Sequence, residues 1–235
     1  AWKEVAQGIA HEIKNPLTPI QLNTQRLKKK YYENREDFAR VFDESINIIS
    51  QEVEGMKDLL NEFLRFSRMP TPDPQPISLH KIIDDILISY SEHKKNIQIK
   101  KSLDPNLAQL TIDPEQIRRV LINLFENATD AIDEGGVIQI TTKILEGNKW
   151  VRIEFSDNGA GISSSDREKL FLPHFTTKKR GTGLGLAIVN RIIIDHNGTI
   201  KVQDNYPKGT TFIIDLPYSQ TTLKTDKNLP KSFSR

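Results

Sequence analysis

The chain has no cysteine among its 235 residues. That excludes disulfide staples and thiolate metal sites, and it fits a reducing compartment without requiring one. Long apolar runs are also missing. None approaches the ~18–20 residues that cross a bilayer, and no signal peptide opens the chain. Neither sign of charge dominates: 33 Lys and Arg face 31 Asp and Glu, for a net +2. Nothing in that balance points to a nucleic-acid partner. The Gly-x-x-x-x-Gly-Lys-Ser/Thr loop is absent as well, so any phosphate binding must come from elsewhere. The length suits one large domain or two modest ones. The chain starts inside a helical pattern at Ala1-Trp2-Lys3-Glu4, and we expect a fragment of a longer protein.

What is present begins with an amphipathic helix over residues 1 to about 30. Trp2, Val5, Ile9, Ile13, Leu17, Ile20 and Leu27 recur at the spacing of one buried face. His11 lies two residues from both Ile9 and Ile13, about 200° around the helix from that stripe. A core histidine would sit on the stripe, so this one should face solvent. Asn15 shares its face, and Glu12 is adjacent. The group is either a chemical site or a solvated helix face. Pro16 and Pro19 should bend the helix just after His11, and the spacing that resumes at Ile20 argues for a kink rather than an end. Tyr31 to Glu36 is polar and can turn the chain. A second helix follows, with Phe38, Val41, Ile48, Ile49, Val53, Met56, Leu59, Phe63 and Phe66 on one side. The two make a helical hairpin that cannot cover both stripes by itself, which predicts a homodimeric four-helix bundle.

Pro70, Pro72, Pro74 and Pro76 fall close together and favour stiff, extended chain, so the domain boundary is placed there. Beyond it the pattern is mixed. Ser78 can cap a helix to about His93, and Asp113-Pro114-Glu115-Gln116 starts another that should run to Gly135, with the glutamine able to reach back to its cap. Strand-like stretches occur at 97–100, 137–145, 150–156, 198–202 and 210–216, with a helix at about 183–196. Largely antiparallel strands with helices on one face make an α/β sandwich. The tail after Pro217 is polar and is expected to be disordered.

Three downstream stretches carry candidate chemistry. Gly181-Thr182-Gly183-Leu184-Gly185-Leu186 precedes an apolar helix; it is a phosphate cradle or a flexible loop. Asn123 and Asn127 stack one turn apart, with Asp130 a turn further, although asparagine is a poor mid-helix residue. A neutral amide oxygen there suits Mg²⁺, or the face is simply wet. Asp157-Asn158-Gly159-Ala160-Gly161 ends a strand and makes either a turn or a site. Between the two glycine runs, residues 163–180 should form a lid, with Lys178, Lys179 and Arg180 near its end.

Taken in order, the stretches around His11, Asn123–Ala128, Asp157–Gly161 and Gly181–Leu186 resemble the H, N, G1 and G2 boxes of sensor histidine kinases. Phe171-Leu172-Pro173-His174-Phe175-Thr176-Thr177-Lys178 looks like the family's F box. The resemblance runs from about Ala1 to Pro217, and the wording of Asn15–Leu22 is closest to NtrY-type nitrogen-regulation kinases. It implies a dimerisation and phosphotransfer hairpin at 1–68, a Pro-rich linker at 69–76, a GHKL or Bergerat-type α/β sandwich at 77–218 and a tail at 219–235. It further implies His11 as phospho-acceptor, Glu12 as its acid/base partner and Asn15 as the residue that orients a phosphatase water. ATP would be held by Asn123, Asn127, Asp157 (at the adenine amino group), Gly159, Gly161, Lys178, Gly181, Thr182, Gly183, Leu184, Gly185 and Leu186, with Mg²⁺ on Asn127. Lys178 is favoured over Lys179 and Arg180 because it closes the F-box pattern. A homodimer, a response-regulator receiver domain (NtrX-like), and the cytoplasmic portion of an inner-membrane-anchored bacterial kinase follow by the same likeness. The chain departs from the family's pattern at His174 for an aromatic, Leu172 for Glu and Asp130 for Lys. Two rival readings are a GHKL ATPase that drives conformational change and a non-enzymatic dimeric scaffold. The H box and hairpin argue against the first, and intact Asn127, Asp157, Gly159, Gly161, Gly183 and Gly185 against the second.

Overall fold

A computed structural model describes residues 2–33, 36–67, 69–91, 97–133, 135–145, 147, 149–173, 175–178 and 182–218, apart from the side chains of 2–12, 58, 61, 62, 65–67, 90 and 91. Helix α1 (Trp2–Glu33) and helix α2 (Phe38–Ser67) pack side by side. Pro16 and Pro19 lie inside α1 without ending it. Ion pairs Arg26–Glu44 at 3.1 Å and Lys30–Asp37 at 2.9 Å join positions that rise in one helix as they fall in the other, which makes the hairpin antiparallel. Lys30 also holds the Asp37 carboxyl below its usual range. Val41 and Ser45 are buried in the hairpin, whereas Leu17, read as part of the buried stripe, is 47% exposed. One α2 is too narrow to cover it.

Helix α3 (Leu79–Ser91) starts at Ser78, whose hydroxyl accepts the Lys81 N–H at 3.4 Å. Helix α4 (Pro114–Ala131) starts at Asp113, whose carboxylate accepts the N–H groups of Glu115 and Gln116. Two expectations for α4 are corrected. The Gln116 side chain does not reach back to the cap; it donates to the Pro70 carbonyl at 3.1 Å, and the Asp113 N–H goes instead to His196 Nε2 at 3.0 Å. The helix also ends at Ala131 rather than Gly135, because Ile132 turns extended (φ −97°, ψ 120°) and buries its side chain in the core.

Strands β2 (Gln98–Ser102), β4 (Val137–Ile144), β5 (Trp150–Asp157), β6 (Thr199–Asp204) and β7 (Thr210–Pro217) form one sheet in the order β2-β4-β5-β7-β6. Only the β2–β4 pairing is parallel. Alternation sets its two faces: Ile138, Ile140, Val151, Ile153, Phe155, Ile214 and Leu216 point to the core, and Arg152 with Asp215 points away. The helices cover the apolar face. Phe125 of α4 meets Phe155 of β5 edge to face, centroids 4.9 Å apart.

Two strands were not expected. β1 (Gln75–Ile77) emerges from the proline-rich stretch and pairs antiparallel with β3 (Leu110–Ile112). The Asp73 N–H donates to Asp113 Oδ2 at 3.0 Å, so the chain after Pro70 is tied to the start of α4. Helix α5 (Ser164–Arg167) occupies one turn of the segment read as a lid. Helix α6 (Gly185–Asp195) begins two residues later than expected, since Gly183 has φ +64° and cannot belong to a right-handed helix. The residues expected to form a disordered tail lie outside those described, Tyr218 excepted. Among the described residues no helix is long and apolar enough to cross a membrane.

Candidate functional site

Asp157 ends β5 with its side chain buried, 3% exposed. Its Oδ1 accepts the N–H of Gly159 at 2.8 Å and of Thr210 at 3.3 Å. Burial pushes the carboxyl above its ordinary range, opposed by those two bonds. Both fall on Oδ1, and Oδ2 takes neither. The loop after it is pinned closely against α4. The Ala160 N–H donates to the Ala131 carbonyl at 2.9 Å, and a Cβ on Gly159 would come within 2.6 Å of that same oxygen. Gly161, at φ +80°, turns the chain away.

Three neighbours of Asp157 carry no signal in the sequence reading. Asn205 donates its side-chain N–H to the Asp157 carbonyl at 2.7 Å. Gly209 (φ +120°) passes so near that a Cβ would lie 2.0 Å from that carbonyl oxygen. Thr210 supplies the amide noted above. The usable hint is Lys208-Gly209-Thr210 at the start of an alternating strand.

Asn123 and Asn127 lie half-buried on α4, as the spacing predicts. Asn123 donates its side-chain N–H to the Arg119 carbonyl at 2.8 Å, and its Oδ1 sits 2.6 Å from where a Cβ on Gly185 would be. Thus α4 and the start of α6 meet with glycine clearance. Leu184, the N-cap of α6, gives no side-chain cap bond, so the first-turn amides keep the partial positive charge that draws an anion. Leu184 itself is fully buried, so its side chain is part of the core; Leu186 is half-buried against the core. The Thr182 hydroxyl accepts the Leu184 N–H at 3.4 Å.

The lid segment is tied at both described ends. Arg167 bonds the Ile162 carbonyl and pairs with Asp204. Lys178 reaches across to α4, its Nζ donating to Asn127 Oδ1 at 2.8 Å and to Asp130 Oδ2 at 2.9 Å. His174, Lys179, Arg180 and Gly181 lie outside the described residues. On α1, His11 and Glu12 are placed by backbone only; Asn15 is exposed one turn beyond His11.

A nucleotide with its cation fits these residues. The glycines let the Asp157 loop and the start of α6 close against α4, a buried carboxylate keeps Oδ2 outside its two amide bonds, and an uncapped helix start offers amides. Among the described residues no three His, Cys, Asp or Glu side chains gather to hold a metal. The neutral amide oxygen of Asn127 is a donor of the kind Mg²⁺ takes alongside waters and phosphate oxygens.

Comparison with known proteins agrees with this arrangement. Residues 1–72 match the His Kinase A (phospho-acceptor) domain, and residues 112–220 match the histidine kinase-, DNA gyrase B- and HSP90-like ATPases. The chain belongs to the sensor histidine kinases. Sensor histidine kinase ZraS of Escherichia coli (strain K12) is 33% identical over 223 residues, covering 94% of this chain and 46% of ZraS. Nitrogen regulation protein NtrY of Azorhizobium caulinodans is 34% identical over 209 residues, 87% of this chain and 27% of that protein. The chain therefore spans about half the length, or less, of the curated relatives it matches. Among solved structures, the catalytic domain of histidine kinase ThkA is 34% identical with TM-score 0.57, covering 62% of this chain and 96% of that one. ThkA in complex with response regulator protein TrrA is 30% identical with TM-score 0.70, covering 92% of this chain and 61% of that one. The hairpin followed by an α/β sandwich is thus the architecture the H, N, F, G1 and G2 boxes implied.

Proposed function

We propose that the chain is the kinase portion of a two-component sensor. It takes the γ-phosphoryl group of ATP onto His11 and passes it to an aspartate on a response-regulator receiver domain. The single observation that carries this is the coincidence, in one family member, of a histidine on the hairpin with Asp157, Asn127 and Gly185 set around the end of α4 and the start of α6. The division into a hairpin at 1–68, a linker at 69–76 and an ATP-binding part at 77–218 is part of the proposal.

The roles are those the family resemblance implies, and the chemistry of each residue suits them. Asp157 Oδ2 accepts a hydrogen bond from the adenine amino group; Gly159 and Gly161, expected to give the base room, instead let the loop close against Ala131 and Gly209 beside it. The Gly183 amide and the first-turn amides of α6 meet phosphates, Asn123 lines the phosphate region, and Lys178 neutralises γ-phosphate charge. Asn127 offers its amide oxygen to Mg²⁺, whose contribution when bound is to neutralise charge on the phosphates. His11 must be the neutral imidazole, and its unperturbed titration lies near ~6.5. The Nε2 lone pair forms the new N–P bond as the bond from phosphorus to the β-phosphate oxygen breaks and ADP leaves. Glu12 accepts the Nδ1 hydrogen bond, which fixes the tautomer. Positioning and charge neutralisation do most of the work. Asn15 sits one turn beyond His11, where its amide can orient water onto a phospho-aspartate; that is the basis for a phosphatase activity.

Two copies of the hairpin, with exposed Leu17, Leu22, Phe42, Ile46, Val53 and Leu60, make the proposed homodimer. The likeness to NtrY supports an NtrX-like receiver, a nitrogen-regulation role and a cytoplasmic position beneath a membrane-anchored sensor. ZraS is as similar, so a panel of receiver domains belongs in the assay. The test is incubation with γ-labelled ATP and Mg²⁺. Acid-labile, alkali-stable label is expected on the wild type and none on His11→Gln. Asn15→Ala should label normally and lose dephosphorylation of the receiver. ATP hydrolysis with no label on the protein would favour a GHKL ATPase instead.

A further inference from the structure

Lys178 occupies the very oxygen that the proposed function assigns to Mg²⁺. Its ammonium bridges Asn127 Oδ1 and Asp130 Oδ2 at 2.8 and 2.9 Å. The two acceptors stand three residues apart on one face of α4, so a single ammonium spans them. The lysine's backbone is fixed locally, its N–H donating to the Thr176 hydroxyl at 3.1 Å. Asp130 stands where the resemblance leads one to expect lysine. The cation over this face therefore comes from the lid, and the helix supplies the anion that holds it.

We propose that Asp130 and Lys178 form a latch that Mg²⁺-nucleotide must open. This rests on the nucleotide-site reading above. Mg²⁺ binds an oxygen at about 2.0–2.1 Å, and an ammonium 2.8 Å from the same oxygen would bring two cations against each other. Metal and lysine therefore exclude one another at Asn127. When the metal binds, Lys178 is expelled toward the phosphates, where its charge is useful. Asp130 sets how readily it leaves. Nucleotide without metal makes no claim on Asn127 Oδ1 and leaves the latch closed. Lys178 and Asp130 are 42% and 59% exposed, so the latch is an exposed ion pair and its effect is small, about two- to five-fold in affinity.

The test titrates the whole chain with fluorescent ADP, in Mg²⁺ and in EDTA. ADP removes any γ-phosphate contact by Lys178. Asp130→Asn and Lys178→Gln are each expected to tighten Mg²⁺-ADP two- to five-fold. The double variant should tighten it no further, and Asp130→Asn should leave ADP in EDTA unchanged. Tightening by Asp130→Asn in EDTA, or undiminished in the Lys178→Gln background, would mean that Asp130 merely repels phosphates, and the latch is overturned. Mg²⁺-ADP affinity unchanged in Asp130→Asn overturns it too. Failure of every variant, wild type included, to bind ADP would instead sink the nucleotide site itself.

Discussion

Asp157 is held in a place its charge disfavours. Its folded pKa is raised above the ordinary 3.8 by burial, so between those two values the native state binds more protons than the unfolded chain. Stability contributed by this group is then lost as pH rises through that window. Asp157→Asn keeps an oxygen for the Gly159 and Thr210 amides and removes the charge. The melting temperature at neutral pH should stay level or rise, while ATP affinity falls tens- to about a hundred-fold, the worth of a ~1.5–3 kcal/mol bond to a charged acceptor. Thermal melts beside a nucleotide titration check both; a melting temperature several degrees lower would contradict the sign. The residue itself was visible in the sequence because an apolar strand ends in Asp-Asn-Gly. Its supports were not. Asn205, Gly209 and Thr210 reach it only through the β5–β7 pairing, which no local pattern encodes.

At the scale of elements, α4 carries two duties on one carboxylate. Oδ1 of Asp113 caps the helix and Oδ2 holds the Asp73 amide. Asp113→Ala should lower stability by about 1–3 kcal/mol, a lost cap plus a lost tie. Gln116→Leu loses the Pro70 bond but also removes a buried, unpaired amide oxygen, so it should cost less, at most about 1 kcal/mol. Urea midpoints at constant slope check the order, and a loss from Asp113→Ala no larger than that from Gln116→Leu would contradict it. The long periodic elements were readable, since α1, α2, α4, β4, β5 and β7 each carry several turns or alternations of signal. β1 and β3 were not. Each is three residues long, one sits among prolines that read as linker, and each exists because the other is there. The lid's tethers were equally hidden, because Arg167 and Lys178 find partners far along the chain.

For the whole molecule the hairpin is the part left unfinished. Leu22 at 59% and Leu60 at 54% exposure are more apolar surface than an isolated pair of helices should leave in water. If the hairpin completes itself with a second copy, the hairpin's unfolding midpoint should rise with protein concentration. Melts over a hundred-fold dilution series, read beside sedimentation, check this; a constant midpoint with a monomeric mass would contradict the bundle.

The order of the five-stranded sheet bears on how the protein is made as well as on how it works. β4–β5 and β6–β7 are neighbours in sequence and pair within short stretches of chain, whereas β5–β7 brings together segments that the lid and α6 separate. Short loops close early and long ones late. The two hairpins are then the natural early pieces, and the seam between them is the late one. Asp157, Thr210 and the glycines that flank them lie on that seam. A chain still emerging from the ribosome therefore cannot assemble the surroundings of Asp157 until β7 is out; if the proposed nucleotide site is right, nucleotide should slow unfolding rather than speed folding.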